Sequence, residues 1–157
     1  MNLGFRCRQN SLQMPGVILL LIHRGYTKPM NIPQELATLN LPPNSFVVVG
    51  SGILNALGIR ESNDIDLIVT PEVFASLEQR GYAESSWPDQ KTLTFNEFEF
   101  GTQWFGKDVS KLLSSAEFIE SVPYLNLDDV YAWKSKSSRE KDQRDCALIK
   151  QYRKRQA

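Results

Sequence analysis

The chain is poor in the residues that most often carry catalysis. A single histidine, His23, stands among 157 residues, which leaves no basis for a histidine-ligated metal or a catalytic triad. The two cysteines, Cys7 and Cys146, form no motif with each other. A disulfide framework is therefore not expected, and a reducing, cytoplasmic setting is the default. Net charge is lacking too, because 18 basic and 18 acidic residues cancel. No global field draws the protein to nucleic acid or a membrane, so any such binding must be local. The apolar run Val17 to Ile22 is far too short to span a bilayer, and no internal repeat or low-complexity segment is present.

What remains is the make-up of a small globular protein, 41% hydrophobic and 23% charged, long enough for one domain with a real core. Residues 1–29 read as an extension ahead of that domain or as a mispredicted start, since Met30 opens a natural beginning. Arg6 and Arg8 before Val17 to Ile22 resemble a secretory leader, but Pro15 and Gly16 interrupt the apolar part and no small-residue cleavage site follows. The domain is expected over residues 30–157. Pro33 suits the first turn of a helix running to Asn40, closed by Pro42 and Pro43. A strand from Phe46 to Val49, a short helix from Gly52 to Leu57 and a strand from Ile65 to Val69 follow. The next helix runs from Pro71 to Arg80, with Thr70 as N-cap and Gly81 as C-cap. Beyond it a short strand (Tyr82 to Ser85) and a turn at Trp87 to Asp89 precede a longer strand from Thr92 to about Thr102. A helical stretch (Val109 to Ile119), an extended piece at Tyr124 and Leu125, and two helices (Leu127 to Lys136, Glu140 to Arg155) complete the order. Short strands mixed with helices imply an α/β or α+β fold around a small sheet.

The chemistry concentrates between Phe46 and Thr70. Phe46 to Val49 are β-branched or aromatic and read as a buried strand. Gly50, Ser51 and Gly52 end it and free backbone N–H groups at a helix start, where phosphate can be held. Asp64 and Asp66 are two residues apart, so on an extended strand both side chains leave one face. Adjacent carboxylates repel, and a divalent cation relieves them. Mg²⁺ suits best, since it takes one or two protein carboxylates together with substrate phosphates. The segment reads as a site for a metal-bound nucleotide.

Gly50-Ser51, a gap, then Asp64-Ile65-Asp66-Leu67 resembles the signature of the nucleotidyltransferase-fold, polymerase-β-like superfamily. Within it, Leu127 to Tyr152 is similar to small bacterial proteins related to abortive-infection and toxin–antitoxin nucleotidyltransferases, through Lys134, Arg139, Lys141, Asp142 and Asp145. The resemblance covers roughly Met30 to Tyr152. It implies a nucleotidyltransferase-like fold and Mg²⁺-dependent transfer of a nucleoside monophosphate from NTP to a hydroxyl on a small molecule, an RNA end or a protein. It implies two Mg²⁺ ions held by Asp64, Asp66 and a third carboxylate from a later strand. Glu99 is the candidate, because it lies deepest in the strand before Gly101; Glu97 comes second. On a single strand from Thr92, Leu93, Phe95, Glu97 and Glu99 share one face and Thr94, Asn96, Phe98 and Phe100 the other.

Gly50 and Ser51 would meet phosphate, Arg60 would bind phosphate or neutralise the acids, and Lys134 and Lys141 would face the triphosphate. Arg139, Lys141 and Asp142 also suit contacts at a helix start. Gly50-x-Gly52 is incomplete as a dinucleotide fingerprint, since Asn55 replaces its third small residue. Trp87, Phe95, Phe98, Phe100, Trp104 and Phe105 read mainly as core, with base stacking open to any member that is exposed. The tail Lys150, Arg153, Lys154 and Arg155 suits a solvated helix end, or RNA phosphates. The alternative to an enzyme is an inactive nucleotidyltransferase-fold binding protein, such as an antitoxin-like partner.

Overall fold

The computed structural model describes residues 28–157. The extension and leader-like run expected over residues 1–29 fall, apart from residues 28 and 29, outside them, as do Cys7 and His23. The first described helix, α1 (Ile32–Ala37), is started by Asn31, whose side chain accepts from the Gln34 N–H, with Pro33 in the first turn. It ends three residues short of the expected Asn40, which takes a left-handed turn conformation. β1 (Phe46–Val49) and β2 (Ile65–Val69) coincide with the apolar runs, and the short α2 (Gly52–Ala56) lies between them. α3 (Pro71–Gln79) starts where Thr70 accepts from the Val73 N–H, and Gly81 follows at φ +81°.

β1 and β2 are buried along nearly their whole length because each lies between two neighbours. The sheet has seven strands, with β3 (Ala83–Trp87), β4 (Gln90–Phe95) and β5 (Phe98–Gly101) on one side of the β2–β1 pair. β7 (Val122–Tyr124) and β6 (Glu117–Ile119) lie on the other, giving the order β3-β4-β5-β2-β1-β7-β6. It is mixed: β2 runs parallel to β5 and β1 parallel to β7, while the remaining pairs are antiparallel. The strands and flanking helices make an α/β (α+β) architecture, its core built on Val47, Val48, Ile65, Leu67, Leu93 and Phe100 with Ile32, Leu54, Leu77 and Ile149 packed against the sheet. Among the described residues no helix is long and apolar enough to cross a membrane.

Two expectations are corrected. The single strand from Thr92 to Thr102 is a hairpin, β4 and β5, folded at Asn96 with φ +51°, a conformation asparagine tolerates better than most residues. The faces change accordingly. Phe95 pairs with Phe98 and Leu93 with Phe100, so all four share one face, while Glu99 stands opposite Thr94. The expected helix from Val109 to Ile119 is also divided. α4 (Val109–Leu113), capped by Asp108, stops before Ser114 and Ser115, and β6 then forms a hairpin with β7. Glu120 and Ser121 make its turn, both at positive φ. α5 (Leu127–Ser135), capped by Asn126, and α6 (Glu140–Gln156) pack on each other and end the chain.

Candidate functional site

The parallel pairing of β2 with β5 sets Asp66 directly beside Glu99, and the antiparallel pairing with β1 sets Asp66 beside Val49. Gly50 follows Val49 at φ +63°, and a Cβ there would sit 2.6 Å from Asp66 Oδ2. Glycine is thus required both for the backbone turn and for the close approach of the carboxylate. Asp64, just ahead of β2, is exposed, and its carbonyl accepts from the Ser62 hydroxyl at 3.0 Å. Gly50, Ser51, Asp64, Asp66 and Glu99 all line one cleft of about 530 Å³. Glu97 does not line it; it lies in the β4–β5 turn, where its carbonyl accepts from the Ile65 N–H. Between the two glutamates the cleft takes Glu99, whose Oε1 accepts from the buried Thr92 hydroxyl at 3.0 Å.

The electrostatics follow from that crowding. Burial first, then the charges of Asp64 and Glu99, push the Asp66 carboxyl up to about 7, with Lys141 and Lys134 pulling the other way. Lys141 lines the cleft, exposed at the start of α6, and carries no ion pair among the described residues. It stands as a cation open to a ligand.

Lys134 sits differently. It is 1% exposed, and its ammonium donates to Asp142 Oδ1 and reaches Asp145 Oδ2, both at 2.8 Å. Asp142 also accepts from Arg139 Nε at 2.7 Å. Arg60 closes the chain of charges with two bonds to Asp145, of 2.6 and 2.8 Å, and one of 2.9 Å to the Ser51 hydroxyl. The Arg60 fork therefore orients Ser51 instead of facing the cleft freely. For Asp142, burial is outweighed by hydrogen bonds from Lys134, Ser137 and Arg139, which bring its carboxyl down to about 2. Asp145 is lowered as well, burial again being outweighed by the bonds from Arg60 and Lys134. The late basic and acidic residues thus brace the floor of the site from α5 and α6, and of the five only Lys141 has a free charge. Arg139 occupies the N-cap position of α6 and lines the cleft with Lys134 and Asp142.

The aromatic residues divide. Phe98 and Phe100 are core, but Phe95 and Phe105 are exposed, correcting the reading of them as core. Phe95 stacks on Tyr82, its ring 4.4 Å away. Trp87 and Trp104 line the cleft together with Trp133. Trp133, Gln90 and Gln103 were not singled out from the sequence. The one signal on offer was an aromatic, Trp133, directly before Lys134 on the same helix.

Compared with known proteins, the chain matches no family model, no curated protein and no solved structure. Among the described residues, no three histidine, cysteine, aspartate or glutamate side chains form a ready metal-ligating group.

Proposed function

We propose that this protein is a nucleotidyltransferase-like protein of the polymerase-β-like kind that binds an NTP with Mg²⁺ in the acidic cleft and passes its nucleoside monophosphate to a hydroxyl. The observation that carries the reading is the placement of Asp66 beside Glu99 with Gly50 against its carboxylate, and Asp64 on the same cleft. Asp66 and Glu99 are half-buried carboxylates side by side, with the exposed Asp64 on the same cleft. Hard oxygen donors short of positive charge suit a Mg²⁺ that takes one or two of these acids together with substrate phosphates, without needing a ready three-carboxylate set. Asp64, Asp66 and Glu99 would hold the Mg²⁺, which would supply positive charge for the phosphates and for deprotonation of the attacking hydroxyl. The Gly50–Ser51 turn offers N–H groups and a fixed hydroxyl to the phosphates, and Lys141 offers a mobile cation. In the reaction the acceptor oxygen bonds to the α-phosphorus, the bond to the bridging oxygen breaks, pyrophosphate leaves, and the hydroxyl proton passes to solvent.

Nucleotide affinity should disappear when EDTA replaces Mg²⁺ in a titration with NTP, and labelled NTP with cell extract should transfer label only when Mg²⁺ is present. Affinity unchanged by EDTA would end the proposal. Gly50→Ala should weaken Mg²⁺-dependent binding at least tenfold, because its Cβ displaces Asp66. Gly58→Ala is the control. Gly58 has φ +66° but nothing within 4 Å of an added Cβ, so it carries a similar backbone cost of about 1–2 kcal/mol without touching the site. Equal binding losses in the two variants would sink the geometric argument.

One observation favours a second reading, a nucleotide-binding partner protein without turnover. Glu99 is already engaged by Thr92, and a carboxylate held there is a weaker third ligand. Mg²⁺-dependent binding without label transfer to any component would support it.

A further inference from the structure

The proposed reading gives no role to the aromatic side of the cleft. Trp104 is its hub, edge-on to Trp87 at 5.7 Å, to Phe105 at 5.1 Å and to Trp133 at 5.1 Å between ring centroids. This cluster is braced from β4. The Gln90 amide donates to the Gln103 carbonyl at 2.6 Å and accepts from the N–H groups of Thr102 at 2.8 Å and Gln103 at 3.2 Å. Gly101 has no space for a side chain, since a Cβ would meet Gln90 Oε1 and Trp87 Cζ3 at 2.9 Å each. The segment carrying Trp104 is therefore clamped onto Trp87 and Gln90.

Beyond the clamp the chain does something costly. Trp104 and Lys107 exchange backbone hydrogen bonds of 2.8 and 3.0 Å around Phe105 and Gly106, both at positive φ. Asparagine or glycine is favoured at the first of these positions. A phenylalanine there, 66% exposed, costs both backbone strain and hydration, so stability does not account for it. Three tryptophans and a displayed phenylalanine on the rim of a cleft that also holds carboxylates match a ligand with a flat ring at one end and anionic groups at the other.

We propose that Trp104, Trp133 and Trp87 form a nucleobase platform that holds the base by stacking, with Gln90 and Gly101 as positioning residues. The inference rests on the reading of the cleft as a nucleotide site and adds how the base is recognised. Gln90, the amide braced against the wall, commits both its ends to backbone, so it is not free to read a base edge. Recognition then comes from ring contact, which every base offers and purines offer most. The site should accept all four NTPs with a modest purine preference.

The test is a titration with the Mg²⁺ complexes of ATP, GTP, CTP, UTP and inorganic tripolyphosphate, followed by tryptophan fluorescence and calorimetry. NTPs should quench fluorescence and bind about tenfold or more tightly than tripolyphosphate, and should lie within about tenfold of one another. Trp133→Leu and Gly101→Ala should bring NTP affinity down to the tripolyphosphate level while leaving tripolyphosphate unchanged, and Trp133→Phe should recover most of the difference. The tripolyphosphate affinity itself reports whether each variant keeps a folded phosphate site. Tripolyphosphate binding as tightly as NTPs would overturn the platform and leave the phosphate site standing. So would wild-type affinities in both Trp133→Leu and Gly101→Ala, or a preference above a hundredfold for one base. Absence of binding by every one of the five would remove the nucleotide reading together with this one.

Discussion

Asp66→Asn should make the protein more stable at pH 8 while removing its Mg²⁺-dependent affinity for nucleotides. The folded Asp66 titrates near 7, through burial and then the charges of Asp64 and Glu99, against about 3.9 in an unfolded chain. Between those values the folded state holds more protons than the unfolded one, so this group's contribution to stability falls as pH rises from about 4 to about 7 and is flat above. The difference is on the order of a few kcal/mol. Asparagine keeps the shape and removes the repelled charge. Thermal denaturation in metal-free buffer should therefore show the variant gaining stability at pH 8 and little at pH 4, when compared with the wild type. Over the same comparison, NTP affinity in Mg²⁺ should drop at least a hundredfold. Equal stability effects at the two pH values would mean that the carboxylate is not under strain in the fold. A variant that gains stability but binds nucleotide normally would leave the acidic cluster without a function.

Lys134→Met should be the most damaging single change to folding. Lys134 is 1% exposed and contacts Asp142 and Asp145, which are 0% and 2% exposed. Methionine fills the space but leaves two buried carboxylates short of a partner, with Arg139 and Arg60 still bound to one each. Removing one member of a buried ionic cluster costs about 3–5 kcal/mol, a large part of the roughly 5–15 kcal/mol that holds a domain folded. The melting temperature should fall by about 10–20 °C. Adding Asp142→Asn should return part of the loss, because it removes one stranded charge; the two changes are in contact and should not be additive. The cluster also has an acid limit. Asp142 is lowered to about 2 and Asp145 is lowered as well, so their contribution is complete above about pH 4 and is lost as pH falls below it, that of Asp142 on approaching about 2. A loss below 1 kcal/mol for Lys134→Met would show that water reaches these groups.

The parts of the fold visible in the sequence were those decided locally. β1, β2 and α3 carry their own apolar pattern, a capping threonine and a first-turn proline, and they form where those signals stand. The hairpin at Asn96 was hidden because Leu93-Thr94-Phe95-Asn96-Glu97-Phe98-Glu99-Phe100 alternates almost without fault. A two-residue turn preserves that alternation while folding it back. The clue lay in the phenylalanines, which an unbroken strand would have split between two faces. Val109 to Ile119 misled for the opposite reason. Its apolar spacing suits a helix, and only the tight turn at Glu120 and Ser121, which pairs its end with β7 just beyond it, makes that end a strand.

The site divides in the same way. Gly50, Asp64 and Asp66 lie within one short segment, so turn and spacing were enough to bring them together. Glu99 stands out in the sequence for its place near Gly101, yet what sets it beside Asp66 is the strand register of β2 and β5. The partners of Arg60 and Lys134 were not legible. Both are basic residues near acids in the sequence, and nothing local states that Asp145 will bury itself against them.

Arg60 finds Asp145 across 85 positions, and this fixes the order in which the cleft can form. A nascent chain that has not yet produced α6 has Arg60 and Lys134 without Asp142 and Asp145, and the Arg60 brace on Ser51 without its anchor. Fragments ending before residue 139 should be recovered as insoluble or protease-sensitive material, and the cleft should be assembled only once α6 has docked.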